Sequence, residues 1–425
     1  MAMASLAMLW MAVRRPLASI RQWQATPTAD SPEPPEPPDE EASNGALLTA
    51  FGLGAVALAA VGVMLAVALT GYRDPEVRVN AQRDAMPSAN HAPATRGASS
   101  VAEQRTLKEP KRSHPSVPRR LFGRTSVWNR RMQATMPIDA ASPSLIAFLE
   151  AEVDRELQTG TGPWIARAQG STPVYRVGAQ QRPVRVQLDA EGATALARAF
   201  AAVPIPDGAQ PGHGPEHHMT IWQPSTDRLW ELSGARRESD GWHARWGGAI
   251  REVSRSRGYY DPTAWPGATA AWGATGSGLP LIGGTILVDD LRRRRINHAL
   301  ALSLPAPRAG AFAWPAQRTD GTGPLSALAE GAQLRLDPQL DLRSLEVPPL
   351  VRMIAQAAQD YGLVVRGRTE WGISFFAEDP APLASNPYPR YFVGRASSEL
   401  LAHFPWERLQ VLAMRLCWTA PCGQD

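Results

Sequence analysis

Cleaving a glycosidic bond by hydrolysis calls for two carboxyl groups about 5–9.5 Å apart, and elimination beside a sugar acid calls for a base and a partner that neutralises the acid. Residues suited to either chemistry gather in MTIWQPSTDRLWEL, Met219–Leu232, where two alternating runs flank Pro224, Ser225, Thr226 and Asp227. A hairpin with those four residues as its loop pairs Gln223 with Arg228, Trp222 with Leu229, Ile221 with Trp230, Thr220 with Glu231 and His218 with Ser233. Met219, Ile221, Trp230 and Leu232 then face a core. His218, Thr220, Trp222 and Glu231 gather on the opposite face, an assignment that a one-residue slip would reverse. Glu231 is the first candidate acid or base, with His218 beside it; the competing explanation is a strand glutamate paired with an arginine.

For a second carboxylate, Asp289, Asp290, Glu378 and Asp379 each follow a strand-like run, where loops carry function. The candidate catalytic set is therefore Glu231, His218, Asp289 and Glu378. Six of the fourteen tryptophans fall between Trp222 and Trp272, interleaved with Gly-rich loops and with Tyr259 and Tyr260. Flat rings with a polar edge suit stacking on pyranose faces, which makes Trp222, Trp246, Tyr259, Tyr260 and Trp272 candidates for substrate binding, although core packing accounts for such rings equally well. His298 shares strand parity with Ile296, Leu300 and Leu302; it joins the binding set, with a hydrogen-bonded core histidine as the alternative. Asp261, before Pro262, reads as a turn residue.

Several chemistries are excluded or weakened. Lysine occurs only at Lys108 and Lys111, so the part of the chain beyond Lys111 has no Schiff-base lysine and no phosphate loop ending in lysine. A coding preference for arginine, rather than selection for guanidinium chemistry, explains that bias. His213, His217 and His218 fit no strong metal-ligand spacing and no cysteine joins them, so neither metal nor cofactor is expected. The glycine-rich run GATGSGLPLIGG, Gly273–Gly284, reads as a surface loop, and its Ser277 lacks the flanks of a nucleophile elbow.

The elements that must position these residues are mostly short. Helical periodicity marks Pro143–Leu157, with Ser142 placed to cap, Pro348–Tyr361, with Gly362 as its stop, and Pro405–Leu416; a short helix is expected near Glu191–Phe200. Strands are expected at Thr172–Val177, Val184–Leu188, Met219–Gln223, Arg228–Ser233, Gly284–Val288, Arg295–Leu304, Ala311–Trp314, Ala332–Leu336, Leu363–Arg366 and Trp371–Phe376. Short strands separated by Gly and Pro, without internal repeats, point to a mainly β domain with helical embellishments, of β-sandwich or jelly-roll type.

The rest of the 425-residue chain divides by composition. Residues 1–45 form a Pro-rich, acidic tail that cannot bury enough apolar surface to fold. Residues 46–70 are 25 residues without a charge, long enough as a helix, about 38 Å, to cross a bilayer and contact its lipid. Residues 71–120 read as a flexible basic tether, and residues 121–425 as the β-rich globular domain. The tether carries an excess of five positive charges, so the domain is nearly neutral and the chain's basicity is no argument for nucleic acid. Arginines on both sides of the apolar segment balance. A Trp-rich domain ending in Cys417 and Cys422, which could close a disulfide in an oxidising compartment, favours a cytoplasmic N-terminus and an extracytoplasmic domain.

The runs HHMTIWQPSTDRLWEL, WGATGSGLPLIGGTILVDDL, RINHALALSLP and VPPLVRMIAQAAQDYGLVVR together resemble a group of uncharacterised secreted or membrane-anchored bacterial β-rich proteins, over roughly residues 120–415. The resemblance implies an exported β-rich domain and no reaction. The expectation is thus a membrane-tethered domain that cleaves a cell-surface or environmental polysaccharide, as a glycoside hydrolase or polysaccharide lyase. The alternatives are a non-catalytic glycan- or cell-wall-binding module and an assembly partner in an envelope complex.

Overall fold

The computed structural model describes residues 120–422. The acidic tail, the apolar segment 46–70 and most of the tether lie outside the described residues; among the described residues, no helix is long and apolar enough to cross a membrane.

Six helices carry the labels α1 (Ser142–Thr159), α2 (Thr194–Ala199), α3 (Val288–Arg293), α4 (Pro349–Asp360), α5 (Pro389–Phe392) and α6 (Ser397–Leu401). The first strands are β1 (Trp164–Ala166), β2 (Val174–Arg176), β3 (Val186–Leu188), β4 (Met219–Gln223) and β5 (Arg228–Ser233). They are followed by β6 (Arg236–Glu238), β7 (Gly241–Ala244), β8 (Trp246–Arg251), β9 (Leu300–Leu304) and β10 (Phe312–Ala313). The last are β11 (Gln333–Leu336), β12 (Leu363–Arg368), β13 (Ser374–Phe376), β14 (Leu409–Val411) and β15 (Leu416–Cys417).

The domain is mainly β with helical embellishments, as expected. Its largest sheet has six strands in the order β1-β13-β9-β12-β11-β14, and a second has four, β2-β4-β5-β8. A three-stranded sheet β3-β7-β6 and the β10-β15 pair complete the strands. The pairs β1/β13, β12/β9, β2/β4 and β3/β7 are parallel, so the sheets are mixed, unlike the antiparallel ladders of a jelly roll. Parallel neighbours need long crossovers, and the connection from β9 to β12 carries α4.

Local sequence accounts for the best-placed elements. Helix α4 starts on Pro349, whose fixed φ suits a first turn, and stops at Gly362, which takes φ +87° and donates its N–H to Ala357 O at 3.1 Å. It packs Val351, Ile354, Ala355 and Ala358 against the six-stranded sheet's core, with Leu302, Leu334 and Phe375. The β4–β5 ladder has the expected register, from Met219 opposite Leu232 to Gln223 opposite Arg228. Met219, Ile221, Trp230 and Leu232 are buried in a second core together with Phe200, Ile250 and Tyr260.

Three expectations differ. The run Pro405–Leu416 is not a helix: a 3₁₀ turn at Trp406–Arg408 leads into β14, where alternate Leu409 and Val411 are buried. Ser142 is the first residue of α1 rather than its cap, and its Oγ accepts the N–H of Val411 at 2.9 Å, tying helix to strand. Gly284–Val288 makes only an isolated bridge, Ile286 with Ala377, before α3 begins.

Candidate functional site

The glycine-rich run Gly273–Gly284 is a buried loop, not a surface one: Ser277, Leu279, Leu281 and Ile282 are all sealed from solvent. A buried loop must find partners for its backbone polar groups. Three long side chains provide them. Glu231, fully buried, accepts the N–H groups of Leu281 and Ile282 at 2.8 Å each and the hydroxyl of Tyr260 at 2.7 Å. Arg318 donates to the carbonyls of Ala270, Trp272, Gly273 and Thr275 at 2.7–3.1 Å. Arg366 donates to the carbonyls of Leu281 and Gly283.

One edge of this loop borders a groove of about 600 Å³ whose walls come from both larger sheets. The segment His213–His218 leading into β4, Arg245 and Trp246 at the start of β8, and Gly273–Gly276 line it. Arg318–Asp320, Arg366–Trp371 and Phe376 complete the lining. His217 takes a left-handed backbone at φ +42°, uncommon for a non-glycine residue.

Arg366 reaches the groove through an irregularity in β12: Val365 pairs with Leu302 and Gly367 with Ser303, so Arg366 is the extra residue of a β-bulge. Bulges re-aim side chains, and an isolated glycine within a strand is their sequence trace. The unpaired carbonyl of Arg366 accepts the Ser277 hydroxyl. Its guanidinium lies 3.7 Å over the Phe376 ring centroid. Burial lowers its pKa to about 10, an effect that the nearby Glu231 charge opposes.

Asp320, also on the lining, is exposed, while its N–H donates at 3.0 Å to Oε2 of Glu330, a fully buried glutamate. The other carboxyl oxygen of Glu330, Oε1, has no hydrogen-bond partner. A Cβ placed on Gly367 would lie 3.5 Å from it and 4.0 Å from Ser303 Oγ, which puts this oxygen beside two groove residues. Burial pushes the Glu330 pKa up to about 8; the Thr319 hydroxyl opposes the shift and the Asp320 carboxylate adds to it. Gly276 backs directly onto the Asp320 carboxylate, where any Cβ would collide with it. The result is a buried carboxyl, its pKa pushed up, next to one that faces the groove.

Of the residues taken from sequence as catalytic or binding candidates, two line the groove. His218 sits on its wall with Nε2 3.2 Å from Ala274 O, and burial lowers its pKa to about 4, leaving a neutral imidazole. Trp246 is half-buried there and donates its indole N–H to Ala271 O at 2.8 Å. Glu231 does not line the groove; Tyr260, Tyr259 and Trp272 are core, with Tyr259 edge-on to Trp314 at 5.9 Å.

The remaining candidates surround Arg176 instead. Asp289 lies 2.7 Å from its Nη1, Glu378 3.6 Å from its Nη2, and its guanidinium sits 5.5 Å over Trp222. Burial pushes Asp289 up, but Arg176, Arg292 and Arg293 outweigh it and hold the group below its ordinary value; buried Glu378, accepting the Val288 N–H at 2.9 Å, is raised. His298 contacts Asp290 at 3.0 Å and Ala299 O at 2.8 Å, a pinned histidine outside the groove. The four proposed catalytic residues are therefore not brought together. Among the described residues, Glu238, Asp240 and His243 come close enough to share an ion, on an exposed turn. Cys417 and Cys422 form a disulfide.

Sequence reasoning passed over Asp320, Glu330, Arg318, Arg366 and the 46% exposed Trp371 at the groove mouth. Only Gly367, alone in an otherwise regular strand, signalled one of them. Comparison of the chain with protein-family models, curated proteins and solved structures gave no match.

Proposed function

We propose that the groove binds a polysaccharide and cleaves a glycosidic bond, with the Asp320–Glu330 pair as its proton-carrying group. The observation that carries this reading is Glu330: a fully buried carboxyl with one oxygen unpartnered beside two groove residues, its pKa pushed up by that burial. A carboxylic acid held neutral at working pH is what protonating a leaving oxygen requires. Asp320 faces the groove and relays or reorients that proton; Glu216 and Glu370, also on the lining, are the carboxylates available for the second role. Neutral His218 serves as a hydrogen-bonding wall, and Trp246 and Trp371 offer ring faces to sugar. Glu231 is reassigned from catalysis to holding the buried loop.

In this reading the sandwich-like domain stands outside the cytoplasmic membrane, anchored by residues 46–70 as a single transmembrane helix and meeting a cell-surface or environmental glycan. The Cys417–Cys422 disulfide supports an oxidising compartment. A second reading, a glycan-binding module without turnover, draws on the exposed ring of Trp371.

The test is release of reducing ends, or of unsaturated sugar, from a panel of surface glycans by the full-length protein and by Glu330→Gln. Turnover by the wild type that collapses in the variant supports cleavage. Binding without turnover transfers the groove to the second reading, and turnover unchanged in Glu330→Gln removes the proton-carrying assignment.

A further inference from the structure

Arg366 is 4% exposed, yet it lines the groove. All three of its hydrogen bonds leave from one nitrogen, Nη1: to Leu281 O, to Gly283 O at 3.3 Å and to Thr285 Oγ1 at 3.3 Å. Nε and Nη2 take no acceptor from the described residues and are not among the sealed polar atoms, so they keep some exposure on a residue that lines the groove. The nearest influential acid, Glu231, acts on Arg366 through space alone, because its own oxygens are committed to Tyr260, Leu281 and Ile282. Arg366 is thus a buried cation, clamped by its bulge, by Phe376 beneath it and by the bonds of Nη1, with one planar two-donor edge unused.

We infer that this edge is a recognition site for a carboxylate on the ligand, so that the groove takes a saccharide bearing a uronic acid. The inference rests on the saccharide reading of the groove and adds the charge class of the sugar. The Nε/Nη2 edge presents two parallel N–H donors at the spacing of a carboxylate's two oxygens, a match that a lysine ammonium lacks. Because Glu231 already offsets part of the guanidinium charge, a monoanion balances the site better than a dianion. Burial strengthens the pairing, since a carboxylate arriving there meets a donor edge held away from bulk water. His218, also on the lining, has its pKa lowered to about 4 by burial and does not compete for the anion.

Three probes decide it: D-glucuronate, its uncharged methyl ester, and glucose 6-sulfate, titrated by ligand-observed NMR against the full-length protein. Glucuronate is expected to bind at least tenfold more tightly than the ester, and Arg366→Gln to abolish that difference. Arg366→Lys restores only part of it. Should Arg366→Gln fail to fold, the acid-against-ester ratio on the wild type decides alone. Equal affinity for acid and ester, an acid preference that survives in Arg366→Gln, or tighter binding of the sulfate ester overturns the inference. Glycan cleavage without acid discrimination sinks this inference and leaves the proposed function standing; acid discrimination without turnover on any glycan does the reverse.

Discussion

Glu231 and Glu330 begin from the same circumstances: both are glutamates with no exposed surface, and burial raises the pKa of each. What surrounds them differs. Glu231 has three donors on its two oxygens, one hydroxyl and two backbone amides, with the buried cation Arg366 near enough to favour its charged form. Glu330 has one backbone donor on Oε2, the Thr319 hydroxyl acting on it, and an acid, Asp320, for a neighbour. Burial alone therefore does not distinguish structural from chemical carboxyls; the distinction lies in whether their hydrogen-bonding capacity is used up. A saturated carboxylate organises a loop, whereas one with an orphan oxygen is held nearer its neutral form.

The largest expected effect is on turnover. Glu330→Gln should lower glycan cleavage by about 100-fold or more, the scale of general acid–base catalysis, while leaving the melting temperature at neutral pH unchanged or higher. Glu231→Gln should act the other way round. Its amide cannot accept from both Leu281 and Ile282, and a stranded buried donor costs about 1–3 kcal/mol, so chemical denaturation should show that loss together with greater proteolysis at Gly273–Gly284. If Glu330→Gln were the unstable variant and Glu231→Gln the inactive one, the comparison would fail.

The pH dependence of stability sharpens the same contrast. Glu330 at about 8 and Glu156 at about 7 bind their protons more tightly folded than unfolded. The stability each contributes is therefore complete below its ordinary value of 4.5 and is lost as pH rises through the folded value. For His298, burial pulls the pKa down but Asp290 outweighs it, and the net upward shift adds a loss of the same sign. Scanning calorimetry should show a melting temperature that falls from about pH 5 to about pH 8, with Glu330→Gln flattening the whole of that fall and Glu156→Gln only the part below about pH 7. The smallest effect is expected from Trp371→Ala: a loss of roughly 1 kcal/mol of stacking, read as a several-fold rise in KM with kcat held.

Much of the fold was legible because local periodicity and local structure agreed. The hairpin register followed from alternation around a four-residue turn, and α4 from apolar spacing bounded by Pro349 and Gly362. The sequence WHARWGGAI, which builds parts of β7 and β8, carries no clean alternation and was missed. In Pro405–Leu416, spacings of three and four arise from a 3₁₀ turn running into a strand. The groove was mostly illegible. Asp320 and Glu330 lie in irregular runs, and their contact is made by the chain's return path rather than by any spacing. Sharing a strand face with Glu231 looked like a functional address for Trp222, but that ring is covered by Arg176 and the two side chains meet different surroundings. Side-chain parity names a face; whether that face borders solvent, a groove or a buried loop is decided by distant segments.

On the proposed reading, Glu330 holds a proton at neutral pH while the chain is folded. Difference infrared spectroscopy of the carboxyl stretch, wild type against Glu330→Gln across a pH titration of the full-length protein, reads that proton directly. A protonated carboxyl band that disappears with a midpoint near 8 and is absent from the variant is the predicted result. Deprotonation of Glu330 near its ordinary 4.5, with no variant-sensitive band at neutral pH, would contradict the account.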